Sequence, residues 1–240
     1  CNAPDFSPLT QQEAQSVMAI HGELIIQLPS GAGLRVGEGL FRPGTDTLAL
    51  ARFARLNGCR HLVDLGCGCG AFPLLLAPAQ PKIHITGIEL DPRAADYARQ
   101  NALAAGLDEQ VSILCADLRQ APLPAGCADA VIANPPYFSA ASGAAPKAAL
   151  APARTEQSCT CPALAQAAAR LLRTGGRFFV LWRPERLAEL FASLCAAGLE
   201  PKRMQAARGR QVRFVMVEAC RGAKPGLQWE PELPLGVSAP

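Results

Sequence analysis

Ten cysteines are present in the 240-residue sequence, yet no two of them form a C-x-x-C pair. Cys67/Cys69 and Cys159/Cys161 are C-x-C, and Cys1, Cys59, Cys115, Cys127, Cys195 and Cys220 are scattered. Zinc sites recur as wider pairs matched by a second Cys or His pair, so this spacing argues against a metal. It favours free thiols acting as small hydrophobes in a reducing cytoplasm. Long apolar runs are also missing. None reaches the roughly 18 residues of a membrane span, and no basic segment followed by an apolar one marks a signal peptide. The chain opens at Cys1, which reads as a trimmed or processed start. Charge is sparse at 18% and hydrophobic residues make up 50%, the balance of a packed soluble domain. No internal repeat or second-domain pattern is visible, and a monomer is expected.

The net charge is only +3, but it is unevenly placed. Residues 170–224 hold twelve Lys/Arg (170, 173, 177, 183, 186, 202, 203, 208, 210, 213, 221 and 224) against four acids. The rest of the chain is mildly acidic. This asymmetry fits a polyanion partner such as RNA, or equally the solvated faces of charged helices.

Residues 1–20 read as a loose polar lead-in with at most one helical turn. Residues 22–41 read as a hairpin around Pro29–Gly33. A helix follows, capped by Thr45 or Asp46 and ended by Asn57-Gly58. From there strands (61–65, 83–88, 111–115, 128–133, 177–182) alternate with helices (71–77, 92–105, 161–172, 184–196). Asp91 is the N-cap and Pro92 the first residue of the second of these helices. Residues 139–157, rich in Ala, Ser, Gly and Pro, read as a mobile loop, and Gly175-Gly176 as a helix stop. Strands at 200–206 and 211–219 are joined too tightly for a crossover, so they are antiparallel. Residues 224–240 should wrap the surface. The expected fold is α/β: a Rossmann-like doubly wound sheet of seven strands, mostly parallel, with an antiparallel C-terminal hairpin. Residues 1–43 form an appendage to a domain over 44–240.

Two motifs carry chemistry. In Asp64-Leu65-Gly66-Cys67-Gly68-Cys69-Gly70, alternate glycines let the backbone turn sharply and approach a ligand closely. Gly66, Gly68 and Ala71 also satisfy a dinucleotide loop, and Glu89 at the next strand end suits ribose hydroxyls in either case. A dinucleotide-dependent oxidoreductase therefore stays open at this point. The second motif is Asn134-Pro135-Pro136-Tyr137-Phe138, at the end of the fourth strand. The amino nitrogen of adenine is a poor nucleophile because its lone pair is delocalised. The Asn134 side-chain oxygen and the Pro135 carbonyl can each accept one of its N–H bonds. The two prolines stiffen these acceptors, and Tyr137 or Phe138 offers a ring for a flipped base. No general base is needed, and orientation should do most of the catalysis.

The glycine loop resembles motif I of class I S-adenosylmethionine-dependent methyltransferases. Asn-Pro-Pro-Tyr is similar to the signature of those acting on amino groups: adenine N6, cytosine N4, guanine N2 or glutamine N5. The resemblance implies that Asp64 and the backbone of Gly66, Cys67, Gly68 and Gly70 hold the methionine end of S-adenosylmethionine. It implies further that Glu89 and Leu90 hold the ribose, and that Asp117 and Leu118 contact the adenine. Asn134, Thr45 and Asp46 complete the cofactor set, although the last two are as well explained as a helix cap.

Over nearly its whole length the chain is most similar to the bacterial family that methylates adenine N6 beside the anticodon of a valine tRNA. That resemblance implies tRNA as partner. It also implies RNA contacts by Tyr137, Phe138, Arg154, Arg183, Arg186, Arg208 and Arg210, with Arg213 a further phosphate contact. Cys69 and the Ala-rich loop depart from the family. Guanine-N2 methylation of ribosomal RNA, glutamine-N5 methylation of protein, and an RNA-binding module with a degenerate site are the alternatives.

Overall fold

In the computed structural model, the described residues are 17–20, 23–135 and 160–235. Two sheets are present among them. The larger contains β4 (His61–Leu65), β5 (His84–Glu89), β6 (Val111–Cys115), β7 (Ala128–Ala133), β8 (Leu172–Trp182), β9 (Leu199–Arg208) and β10 (Val212–Arg221). Two-residue strands β11 (Gln228–Trp229) and β12 (Leu233–Pro234) complete it. The order is β6-β5-β4-β7-β8-β10-β9-β11, with β12 also on β9. β4 to β8 are parallel, and β10 runs antiparallel to both β8 and β9. The expected seven strands are therefore extended by two short ones from the tail. Arg203–Glu230 and Gln205–Pro231 O bonds tie that tail to β9, at 3.1 and 2.9 Å.

Helices cover both faces: α1 (Thr45–Phe53), α2 (Ala71–Leu76), α3 (Pro92–Ala104), α4 (Cys161–Leu171) and α5 (Leu187–Ala196). A strand covered on both faces reads as a continuous apolar run, which is how 178–182 reads. Neighbouring residues then enter different cores. Phe178 joins Val63, Leu65, Leu164 and Leu194, whereas Phe179 joins Leu62, Ile85, Phe53 and Met216. Each fully buried side chain of this size stabilises the fold by about 1.5–3 kcal/mol.

Two boundaries moved for tertiary reasons. Helix α1 stops at Phe53, short of Asn57-Gly58. There the Arg203 guanidinium lies 3.7 Å above the Phe53 ring and donates to the Phe53 carbonyl at 2.6 Å. Helix α4 stops at Leu171, and β8 begins at once. Gly175-Gly176 sits inside β8 as a bulge, where the pairing jumps from Ala128↔Leu172 to Ala130↔Arg177. A Cβ on Gly176 would lie 2.8 Å from the Arg173 carbonyl. Asp91 does cap α3, accepting from Arg93 N at 2.8 Å. The helix expected over 184–196 is a 3₁₀ turn at 184–186 followed by α5.

The smaller sheet has three antiparallel strands rather than a hairpin. β1 (Val17–Ile20) pairs β2 (Glu23–Gln27), which pairs β3 (Gly33–Val36). Residues 17–20 of the expected lead-in are thus a strand, consistent with the apolar, β-prone stretch Val-Met-Ala-Ile. Residue Asn101 of α3, fully buried, fastens this sheet to the larger one. It accepts from Arg35 N at 3.0 Å and donates to the carbonyls of Arg35 and Cys69, both at 2.9 Å. Cys69 lies in the glycine loop, so Asn101 braces that loop. The loop expected at 139–157 falls outside the described residues.

Candidate active site

From β4 the sheet grows in two directions, through β5 to β6 and through β7 to β8. The gap between β4 and β7 at their C-terminal ends is therefore a topological switch point, where such sheets bind ligands. Both sequence motifs arrive there. Asp64 pairs in register with Ile132, so Gly66 and Asn134 leave adjacent parallel strands side by side.

Gly66, Gly68 and Gly70 have φ of 78°, 54° and 88°, the left-handed region that side chains resist. The turn is held from below. Gly66 N and Cys67 N donate to the Ile88 carbonyl at 2.8 and 3.1 Å, and Gly70 N donates to Cys67 O at 2.9 Å. A Cβ on Gly87 would meet Cys67 Sγ at 2.7 Å, so β5 needs glycine where it passes under the turn. At Gly66 and Gly68, by contrast, an added Cβ would meet nothing within 4 Å. The turn thus encloses open space above and is tightly packed below, the shape of a cradle.

Glu89 is buried and braces the same turn. Its Oε2 accepts from Gly68 N at 2.8 Å and its Oε1 from Asp91 N at 2.9 Å. A carboxylate has further lone pairs, so these bonds leave capacity for a hydroxyl. Asp64 is fully enclosed, and neither carboxylate oxygen has a hydrogen-bond partner among the described residues. Burial, and next the nearby Glu89, push its carboxyl well above the usual carboxylate range. Burial, and next the nearby Asp64 and Glu89, raise the Cys67 thiol. An orphaned acid and an open cradle fit a ligand that brings hydrogen-bond donors or positive charge.

Other expected residues surround the cradle. Leu90 is 45% exposed at the end of β5. Leu118 is half-buried against the second core. The Asp117 carboxylate is taken up by Arg119, at 2.5–2.9 Å, which holds it below the usual range. It also accepts from Arg119 N, so its first role in the fold is to cap the short 3₁₀ turn at 118–120. Thr45 is the first residue of α1, and Gly44, not Thr45 or Asp46, occupies the N-cap position. Asp46 accepts from Thr47 N at 2.8 Å and reaches Asn134. Thr47, buried, also touches Asn134; sequence reading missed it, because its partner lies 87 residues away. Pro135 is buried. Pro136, Tyr137, Phe138 and Arg154 lie outside the described residues.

The basic third divides between the two ends of the sheet. Arg183, Arg186, Arg208, Arg210 and Arg213 lie at the site end, beyond β8 and around the β9–β10 turn. Arg186 pairs with Glu189 at 2.8 Å and stacks 5.6 Å from the Trp182 ring; Arg208 pairs with Glu232 at 2.6 Å. Arg183, Arg210 and Arg213 are exposed. Several of the others serve the fold. Arg173 pairs with Asp129, Arg170 donates to the carbonyls of Ala121 and Leu123, Arg221 to that of Leu172, and Arg203 is buried. Among the described residues no cluster of His, Cys, Asp and Glu could hold a metal, and no helix is long and apolar enough to cross a membrane.

Residues 42–191 match the family model described as the methyltransferase small domain. Among curated proteins, the chain is 32% identical to the tRNA1(Val) (adenine(37)-N6)-methyltransferase of Porphyromonas gingivalis, over 62% of this chain and 61% of that one. It is 34% identical to the protein of that name from Enterobacter sp., over 62% and 60%. It is 31% identical to the one from Tolumonas auensis, over 72% and 74%. The alignments to the first two thus span about three-fifths of those relatives' length. Among solved structures, a predicted O-methyltransferase from Agrobacterium tumefaciens superposes with a TM-score of 0.60 at 23% identity, covering 79% of this chain and 86% of that one. The [4+2]-cyclase SpnF superposes with 0.56 at 18% identity, covering 75% and 82%. At such identities these structures speak to the fold alone.

Proposed function

The chain belongs to the methyltransferase small domain family, and from that premise we propose that it transfers a methyl group from S-adenosylmethionine to N6 of an adenine in tRNA, beside the anticodon. The supporting observation is the placement of Asn134-Pro135 next to the glycine cradle at the switch point. The activity for which these relatives are named directs the choice of adenine and of tRNA.

Bound S-adenosylmethionine supplies an activated methyl group on a sulfonium. The backbone of Gly66–Gly70 cradles its methionine end above Asp64. Glu89 offers its remaining lone pairs to the ribose, with Leu90, Asp117 and Leu118 around the adenine. Asn134 Oδ1 and the Pro135 carbonyl accept the two N–H bonds of the target amino group. They hold its nitrogen in line with the donor and return electron density to it. Tyr137 or Phe138 stacks the flipped base, worth about 1–3 kcal/mol. Asn134 takes no proton, and the methylated nitrogen releases its own to water.

Arg183, Arg186, Arg208, Arg210 and Arg213 contact phosphates along the site end, and Arg154 is a further RNA contact, so RNA affinity should fall steeply with salt. We read the protein as a cytoplasmic monomer, with residues 44–240 as the catalytic domain and 1–43 as its appendage.

The test is incubation with tRNA and labelled S-adenosylmethionine, followed by nucleoside mass spectrometry. N6-methyladenosine is the expected product. Label in guanosine or in protein glutamine would replace this reading with one of the other amino acceptors. Asn134→Ala should abolish turnover and still bind the cofactor; full activity in that variant would refute the role given to Asn134.

A further inference from the structure

We propose that Asp46 and Thr47 are positioning residues that lock the Asn134 amide with its oxygen toward the cleft; the inference rests on the role of Asn134 given above. A primary amide is almost symmetric in shape, and its two ends differ only in chemistry. Flipped, Asn134 would turn its NH2 toward the NH2 of the target, donor against donor, and the substrate would lose an acceptor.

The first turn of α1 forbids that flip. Asn134 Nδ2 lies 3.3 Å from Asp46 Oδ2 and 3.2 Å from Thr47 Oγ1. A carboxylate only accepts, so it cannot face the amide oxygen. Asp46 Oδ1 also lies 3.5 Å from Thr47 Oγ1, taking the hydroxyl proton and leaving the hydroxyl lone pairs for Asn134. One carboxylate thereby fixes the polarity of both groups. It is itself fixed, because Oδ1 accepts from Thr47 N at 2.8 Å. Thr47 is 2% exposed, so water does not readily replace it. Gly44 is part of the device, since a Cβ there would come within 2.9 Å of Asp46 Oδ1.

Thr47→Val keeps the side-chain shape and removes the acceptor, while Thr47→Ser keeps the hydroxyl. Steady-state kinetics on tRNA should show kcat reduced roughly 10- to 100-fold in Thr47→Val, with the KM for cofactor unchanged and most of kcat restored in Thr47→Ser. A structural role alone would not separate these two variants. The second readout needs no turnover. The side-chain amide resonances of Asn134 in a nitrogen-15 NMR spectrum, assigned by their loss in Asn134→Ala, should shift or broaden in Thr47→Val and hold in Thr47→Ser. Unchanged Asn134 resonances in Thr47→Val, or equal kcat loss in both Thr47 variants, overturn the positioning role. Failure of the wild-type protein to methylate tRNA overturns the methyltransferase reading instead and leaves the NMR result standing. Asp46→Asn, which exchanges an obligate acceptor for a group able to face either way, supplies the same readouts if Thr47→Val does not fold.

Discussion

Asp64 and Asp129 sit on neighbouring strands at opposite ends of one sheet, and their surroundings could hardly differ more. At the N-terminal end Asp129 accepts from Arg60 N, His61 N and the Arg173 side chain, at 2.8, 3.0 and 2.6 Å. His61 beside it bridges the Cys127 carbonyl and Thr86 at 3.0 and 2.9 Å. At the C-terminal end Asp64 is more deeply buried, with no partner for either oxygen among the described residues. A fully satisfied polar network stabilises a fold, while an orphaned one destabilises the free chain until something binds. The end that is expensive to fold is the end that takes the ligand.

The largest effect expected from breaking this contrast is on Asp129. Asp129→Ala strands two backbone donors and Arg173, and should cost about 2–3 kcal/mol by chemical denaturation while leaving cofactor affinity intact. A cofactor dissociation constant that moved with it would mean the two ends are not separable. Next comes Gly68→Ala. Its φ of 54° makes a side chain strained by about 1–2 kcal/mol, and the added methyl fills the cradle. Calorimetric titration should show most of the cofactor affinity gone, beyond what the stability loss explains.

Asp64→Asn should act in opposite senses on folding and binding. It removes an enclosed carboxyl whose ionisation burial opposes, so thermal unfolding at neutral pH should show the free protein more stable by about 1 kcal/mol, with weaker cofactor binding. The two aspartates also give opposite pH slopes. Burial raises Asp129, but the bonds from Arg173, Arg60 N and His61 N outweigh it, and its native carboxyl ends below the usual value. Its contribution is complete above the unfolded value near pH 4 and is lost as pH falls through the lowered one. The native Asp64 carboxyl is raised, so it holds its proton more tightly than the unfolded chain does. Stability from Asp64 is present below about pH 4 and is lost as pH rises toward its native value. Denaturation followed across pH should lose the falling limb in Asp64→Asn and the rising limb in Asp129→Asn.

The smallest effect separates the two basic groups. Arg210→Ala at the site end should lower the salt dependence of tRNA binding by about one unit of slope, whereas Arg173→Ala should leave it unchanged. Equal slopes in both variants would place the RNA elsewhere.

Much of this was legible in the sequence. Alternating glycines announce a turn because φ near +60° is tolerated by little else, and Asn134-Pro135 announces a rigid strand end, since proline has one φ and no donor. The helix ends were less legible. Phe53 ends α1 under Arg203, 150 residues away, and Gly175-Gly176 was read as a helix stop when the β7 pairing makes it a bulge. Asp117 was expected to contact the adenine, and its bonds to Arg119 were not foreseen. In the basic third, charge count alone could not tell Arg173 and Arg203, which hold the fold, from Arg208 and Arg210 at the site end.

By itself the sequence determined the parallel strands β4 to β7, the glycine cradle and the two rigid acceptors, because each is set by preferences acting over a few residues. The tertiary structure alone decided that Asp64 has no partner among the described residues and which arginines share an end with Asn134. It alone also turned the Asn134 amide toward α1. Those outcomes depend on strand order and on contacts such as Asn134 with Asp46, 88 residues apart, which no local preference encodes.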